Sequence, residues 1–288
     1  MNSYLQLLSK FHIHPLFWAV IGLAIITAHF KELLILLLIV LVHEMGHVLS
    51  AHFFSWRIKR ISLLPFGGVA EMDEHGNRPL KEELIVILAG PLQHVWMVAL
   101  AYGLEAAAII SQETFDLFLF HNIVIFCFNL LPIWPLDGGK LVFLLLSFKY
   151  SFFDSHKYTL QASFMFVVII IASILAIVPT QLNLWIITLF LLTSIILEWR
   201  RRHFVLMRFL LERYYGKQTT FNMLKPIEVN EKEKIHSILL LFHRGCKHPI
   251  IVNKDGKKLS PIDENEVLHA YFTEKRTTET IGELFYSY

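Results

Sequence analysis

Long apolar runs separated by short polar connections fill the first two-thirds of the chain. Their approximate bounds are 15–30, 33–54, 84–110, 117–136, 160–179 and 184–197. A helix of about 20 apolar residues crosses the roughly 30 Å hydrocarbon core of a bilayer. The pattern therefore predicts an α-helical polytopic membrane protein with about six transmembrane helices.

The last third of the chain has a different pattern, and it divides into two parts. Residues 198–218 are rich in basic side chains and predict a juxtamembrane linker. Within it, residues 200–217 are interpreted as a basic helix that could lie against anionic lipid headgroups. Residues 219–288 alternate polar and apolar positions at shorter intervals, with helical spacing, a β-rich run and a turn signal at 254–257. We expect a membrane domain over 1–197, this linker, and a small cytosolic α/β domain over 219–288.

Composition supports the membrane class and argues against others. The 288 residues are 55% hydrophobic and only 17% charged, whereas soluble domains average about 25% charged residues. The net charge of +2 comes without a basic patch, so we expect no direct nucleic-acid partner. Two cysteines, Cys127 and Cys246, do not suggest a disulfide framework.

Basic residues fall on every second connection between the apolar stretches. They occur between the second and third stretches, between the fourth and fifth, and after the sixth: Arg57, Lys59, Arg60, Arg78, Lys81; Lys140, Lys149, Lys157; Arg200, Arg201, Arg202. Positive residues mark cytoplasmic loops. The alternation predicts a multi-pass protein with both termini in the cytoplasm and an even number of spans.

The second apolar stretch contains the pattern His43-Glu44-x-x-His47. Residues four apart share one face of a helix, so both imidazoles can reach one metal ion, with Glu44 beside them as a general base. Roughly one chain in twenty of this composition would contain the pattern by chance. Ionisable residues inside a membrane span usually mark a functional site, and this setting strengthens the prediction.

Catalytic zinc needs a third protein ligand, and Asp137 is the best candidate. It follows a stretch from Asn129 that contains two prolines and precedes two glycines, and helices broken at membrane depth line protein cavities. Taken alone, Asp137 would be interpreted as a turn residue before Gly138. His94, in the third stretch, is interpreted as a lumen-facing polar residue, with a hydrogen bond to the site as the alternative.

These motifs together resemble those of the site-2 proteases, over roughly residues 30–145. The resemblance rests on the His-Glu-x-x-His pattern, on the stretch from Asn129 to Gly138, and on two shorter segments, 89–91 and 65–69. It implies an intramembrane zinc metalloprotease. The implied roles are Zn²⁺ ligands for His43, His47 and Asp137, the base for Glu44, and substrate binding for Asn129, Pro135, Phe66 and Gly67.

The combination of core and tail resembles the sporulation branch of that family more narrowly. This resemblance implies a membrane-associated sigma-factor precursor as the protein substrate, and an outer forespore membrane location facing the mother cell. It also implies that the tail is a CBS-like domain, with ATP as a regulator. Inhibitory membrane-protein partners and a homo-oligomer are compatible with it, although no residue identifies either.

Two other functions remain open at this point. A membrane metal-binding transporter or sensor would use the same site without needing Glu44 as a base. A prenyl-protein type of membrane metalloprotease would take a distant glutamate as the third ligand, and Asp137 argues against that alternative.

Overall fold

Helices make up most of the computed structural model, which describes residues 11–13, 30–64, 67–72, 78–216 and 223–285. The first six helices in the described residues are α1 Phe30–Phe53, α2 Leu80–Ala106, α3 Gln112–Asn129, α4 Asp137–Ser147, α5 Phe152–Ile177 and α6 Leu182–Tyr215. The strands near the N-terminal end are β1 Phe11–Ile13, β2 Ile58–Leu64 and β3 Gly67–Met72. The tail contains β4 Ile227–Asn230, α7 Ile235–Leu239, β5 Ile250–Lys254, β6 Lys257–Lys258, α8 Glu264–Phe272 and α9 Ile281–Phe285.

Four of the described helices are long and apolar enough to cross a membrane: α1, α2, α5 and α6. The prediction of an integral, mainly helical membrane protein is therefore confirmed. The first apolar stretch lies outside the described residues apart from Phe30, which begins α1. The count of six spans stays a prediction.

The fourth apolar stretch is not a single helix, because the chain breaks between Asn129 and Asp137. Pro132 and Pro135 lie in this break, and proline can neither donate a helical hydrogen bond nor fit the preceding turn. The backbone N–H of Trp134 donates to Ser163 Oγ on α5 at 2.9 Å. The break is thus held by the protein interior, and it delivers the first residue of α4 into the bundle.

The sixth stretch continues as helix well beyond its apolar part. α6 has 34 residues, about 51 Å at 1.5 Å per residue, which exceeds the roughly 30 Å hydrocarbon core. Leu206, Phe209 and Leu210 on its C-terminal half are buried in the core of the tail. The predicted basic helix is therefore present through Tyr215, continuous with the last apolar stretch, and its apolar side packs on the tail.

The tail is a small α/β unit, as the sequence predicts. Its sheet has the order β4-β5-β6, with β4 and β5 parallel across α7 and β5 and β6 antiparallel. The predicted turn between β5 and β6 has positive φ at Asp255 and Gly256. Its apolar core includes Phe143 of α4 and Phe152 of α5, so the tail and the membrane helices share one core.

The helices around α1 pack at short distances, because small residues lie at their contacts. A Cβ added to Gly46 of α1 would come within 2.5 Å of the Ala89 carbonyl oxygen on α2. Beside these helices, β1 pairs parallel with β2, and β2 pairs antiparallel with β3. Lys31 of α1 and Glu113 of α3 are 3.6 Å apart, so α1 and α3 begin at the same end of the bundle.

Candidate metal centre

Three buried side chains from two helices converge where α1 faces the start of α4. His43 and His47 lie one turn apart on α1, and Asp137 is the first residue of α4. The two Nε2 atoms are 3.1 Å apart, and each lies 3.1 Å from Asp137 Oδ2. The structure therefore brings together the three ligands proposed from the sequence.

The spacing of these three atoms suits a zinc ion. A tetrahedral zinc ion holds nitrogen and oxygen ligands at about 2.0–2.2 Å, which places neighbouring donor atoms about 3.3 Å apart. The triangle of 3.1 Å sides is close to that value. Two imidazole nitrogens and one carboxylate oxygen also form a common donor set for catalytic zinc. The residues present fit the metal.

Hydrogen bonds at the far side of each imidazole favour the metal-binding form. His47 Nδ1 donates to the carbonyl oxygen of Val86 on α2 at 2.8 Å, which leaves the Nε2 lone pair facing the triangle. His43 Nδ1 lies 3.0 Å from Nε2 of His94. His94 is 3% exposed. Its contact with His43 agrees with the alternative given for this residue from the sequence, a hydrogen bond to the site.

Lys140 binds the oxygen of Asp137 that does not face the histidines. Its Nζ donates to Asp137 Oδ1 at 3.0 Å, so Asp137 presents one oxygen to the imidazoles. Lys140 also interacts electrostatically with Glu44 and Glu83. The sequence alone indicates Lys140 only as one of the basic residues between the fourth and fifth apolar stretches. Its position three residues after Asp137, on the same face of a helix, was the available signal.

Glycines allow the backbone to approach the site closely. A Cβ added to Gly90 of α2 would lie 2.2 Å from His47 Nε2. A Cβ on Gly138 would meet the carbonyl oxygens of Leu130 and Leu131 at 2.2 and 2.3 Å. The first contact seats His47 against α2, and the second holds the start of α4 under the broken segment.

The remaining predicted site residues are placed as follows. Glu44 is buried on α1 next to His43. Asn129 ends α3 and donates from Nδ2 to the carbonyl oxygen of Ile125 at 3.1 Å, and Pro135 is half-buried in the broken segment. Gly67 begins β3 and pairs with Leu64. Phe66 lies outside the described residues.

Comparison with known proteins places the chain in a peptidase family. The model of Peptidase family M50 matches residues 31–106 and 97–172. The chain is 51% identical to Stage IV sporulation protein FB of Bacillus subtilis (strain 168) over 288 residues, which is 100% of both chains.

More distant relatives match part of the chain. A zinc metalloprotease of Methanocaldococcus jannaschii is 33% identical over 151 residues, or 48% of this chain and 42% of that protein. The solved site-2 protease from the same organism superposes with a TM-score of 0.53 at 28% identity, covering 65% of this chain and 89% of that one. With the buried His-His-Asp triangle, these relationships establish that the chain belongs to peptidase family M50 and is an intramembrane zinc metalloprotease.

Proposed function

We propose that the enzyme removes the pro-sequence of a membrane-associated sigma-factor precursor during sporulation. The proposal is supported by 51% identity, over both full lengths, with a relative that is named as a sporulation protein. The buried triangle of His43, His47 and Asp137 is the observation that carries the chemistry. The expected location is the outer forespore membrane with both termini in the cytoplasm, and it follows from the same similarity and from the basic connections.

In this proposal His43, His47 and Asp137 hold the zinc ion. Zinc supplies a Lewis acid that polarises the scissile carbonyl and makes a water molecule acidic near neutral pH. Glu44 then accepts the proton of the attacking water and delivers it to the leaving amide nitrogen. The burial of all four side chains favours these electrostatic effects, because charges act more strongly in the low-dielectric protein interior than in bulk water.

The substrate would bind as an extended strand beside the metal site. Within the described residues β3 pairs with β2 along one edge, and α1 packs against β3. An unwound substrate segment can add to the other edge of β3 near Gly67 by backbone hydrogen bonding, and Phe66 would contact its side chains. Asn129, next to the break that precedes Asp137, and Pro135, within it, would help to hold the substrate backbone.

We further propose a division of labour along the chain. Residues 1–197 form the protease domain with its core over 30–145, residues 198–218 connect it, and residues 219–288 form a CBS-like domain. The parallel β4–α7–β5 unit supports this interpretation of the tail. The tail would capture the cytoplasmic part of the substrate and raise its local concentration, with ATP, inhibitory membrane proteins or a homo-oligomer controlling access.

The decisive experiment compares the full-length wild type with Glu44→Gln. Both are purified in detergent, zinc is measured by atomic absorption, and cleavage of the sigma-factor precursor is followed by gel. The variant should keep one zinc per chain and lose activity by about 10²–10⁴-fold, the usual contribution of a general base. Normal turnover by Glu44→Gln would contradict the mechanism, and cleavage of unrelated membrane proteins at equal rates would contradict the substrate.

ATP control is tested on the full-length enzyme. A titration from micromolar to millimolar ATP should change the cleavage rate without changing zinc content. Binding measured by equilibrium dialysis of radiolabelled ATP gives an independent readout. An unchanged rate together with no bound ATP would remove the nucleotide from the proposal.

A further inference from the structure

Three buried polar side chains from three helices form one chain of hydrogen bonds that ends at the metal site. His43 on α1 contacts His94 on α2, with 3.0 Å between Nδ1 and Nε2. His94 Nδ1 lies 3.1 Å from Oδ1 of Asn122 on α3. His94 and Asn122 are 3% and 1% exposed. This chain of hydrogen bonds links α1, α2 and α3 at the level of the metal-binding triangle.

The chemistry of a ligand imidazole fixes the direction of these hydrogen bonds. His43 Nε2 faces the triangle and, as a ligand, carries a lone pair there. A neutral imidazole has one N–H, so His43 must carry its proton on Nδ1 and donate it to His94 Nε2. His94 then carries its own proton on Nδ1 and donates to Asn122 Oδ1. The opposite direction would require an anionic His43.

The unsatisfied side-chain amide nitrogen of Asn122 supports this assignment. Among the described residues its Nδ2 is buried without a hydrogen-bond partner. Buried polar groups in proteins are nearly always satisfied, and an apolar residue would avoid this cost in a helix packed inside a membrane protein. A role for Oδ1, as the acceptor for His94, explains why an amide occupies the position.

The two histidines of the triangle are therefore held in different ways. His47 donates to a backbone carbonyl, that of Val86, which no side-chain substitution removes. His43 depends on a neutral side chain, and Phe126 packs edge-on against the His94 ring at 5.6 Å between centroids. Partners of this kind orient metal-bound histidines and fix their tautomer, and their loss commonly lowers metal affinity.

We propose that His94 and Asn122 are positioning residues of the zinc site, which orient His43 through a one-way relay of hydrogen bonds. The proposal rests on His43 being a zinc ligand, as set out under the proposed function. Neither His94 nor Asn122 touches the substrate in this arrangement. Their effect is on metal affinity and on the geometry of the ligand, and activity falls as a consequence.

The test measures zinc affinity of the full-length protein in detergent by competition with a fluorescent chelator. His94→Leu should raise the dissociation constant about 10- to 100-fold, the usual effect of removing such a partner. His94→Gln, whose oxygen can accept from His43 while its N–H₂ donates to Asn122, should recover much of the affinity. Asn122→Leu should raise the dissociation constant measurably, by several-fold up to about tenfold, because Asn122 acts one step further away from the ligand.

A matched control lies next to Asn122 on the same helix. His121 donates within its own helix, to the carbonyl oxygen of Leu117 at 2.8 Å, so His121→Leu should bind zinc like the wild type. Cobalt substituted for zinc gives a second readout, because its visible spectrum reports ligand geometry. The spectrum should shift in His94→Leu and return in His94→Gln.

The outcomes separate the relay from the ligand assignment. If His43→Ala binds zinc as tightly as the wild type, the proposed metal site itself is wrong. If His43→Ala loses zinc while His94→Leu keeps both wild-type affinity and cobalt spectrum, the relay alone is refuted. If His94→Leu fails to fold, Asn122→Leu and His94→Gln decide. The relay is overturned if Asn122→Leu binds zinc as tightly as the wild type does. It is also overturned if His94→Gln binds zinc more weakly than Asn122→Leu does.

Discussion

Gly90→Ala is the smallest substitution that should disable the metal site. Gly90 lies on α2 facing His47, one of the histidines of the triangle. A Cβ at this position would lie 2.2 Å from Nε2, 2.4 Å from Cε1 and 2.8 Å from Cδ2 of that ring. Carbon atoms in van der Waals contact are about 3.5–4.0 Å apart, so the ring or the helix must move by more than about 1 Å.

Neither movement is compatible with the triangle. His47 Nδ1 is held by Val86, four residues before Gly90 on the same helix, so a shift of α2 displaces the anchor of the ring together with the clash. Metal ligands tolerate deviations of about 0.2 Å, and a 1 Å displacement in an active site costs about 10²-fold in rate. We expect zinc content to fall sharply and cleavage to fall by at least about 10²-fold.

The assay pairs Gly90→Ala with Gly103→Ala. Gly103 lies on the same helix, and a Cβ added there meets nothing within 4 Å. Because alanine favours helix more than glycine does, Gly103→Ala should be as stable as the wild type or more so, with full zinc content. Both variants are purified in the same detergent, and zinc per chain, helix content and cleavage are measured. Full zinc content and activity in Gly90→Ala would refute the close packing of His47 against α2.

Three further predictions concern the third zinc ligand, the contact between the tail and α2, and the pH dependence of the stability of the tail. Asp137→Ala should lose zinc and Asp137→Asn should retain it partly, because one oxygen remains; wild-type zinc content in both would place the third ligand elsewhere. Arg244 pairs with Glu83 across the contact between tail and α2, and its side chain is almost fully buried. Breaking such a pair costs about 3 kcal/mol, so Arg244→Gln should speed proteolysis of the tail. Arg276→Gln should not, because the half-buried Arg276 pairs with Glu274 and Glu279 of the tail itself. Burial, together with the nearby charges of Arg213 and Lys225, lowers the pKa of His248 to about 4. Between about pH 6.5 and about pH 4, each unit of falling pH should therefore make opening of the folded tail more frequent, by at most about tenfold. Hydrogen exchange measures this, and a flat profile would contradict it.

The pattern along the chain was sufficient for the ligands that share one helix. His43 and His47 meet because a helix repeats every 3.6 residues, and this follows from the sequence alone. The approach of Asp137 depends on the path of the chain between α3 and α4. The prolines predict that the helix breaks there. The break is positioned, however, by contacts between residues far apart in sequence, such as Trp134 with Ser163.

The role of His94 was underestimated for a similar reason. A single histidine in an apolar stretch gives no indication of its partner, and the partner lies 51 residues away. A local signal was present nevertheless. Gly90 and His94 are four residues apart and share a face of α2, so a close approach of α1 at the glycine brings the histidine to the same neighbour.

A basic helix over 200–217 was predicted, but its continuity with the last apolar stretch was not. Hydropathy marks where a lipid-exposed surface ends, and a helix can continue past that point. Glu198 and the arginines that follow it favour helix as strongly as the leucines before them. The apolar residues that bury this part of α6 in the tail are spaced at three and four residues, Leu206, Phe209 and Leu210. That spacing is a helical signal within a segment whose overall composition is polar.

Because α6 runs without interruption from the apolar stretch into the tail, the number of residues between them determines which face of the helix the tail packs on. Each inserted residue would turn the face carrying Leu206, Phe209 and Leu210 by about 100° about the helix axis. The tail would then be presented to lipid or solvent in place of α4 and α5. An insertion of seven residues restores the face to within about 20°, yet moves it about 10 Å along the axis, beyond the reach of the Arg244–Glu83 pair. Natural variation in the length of this segment should therefore be rare, even where its individual residues change freely.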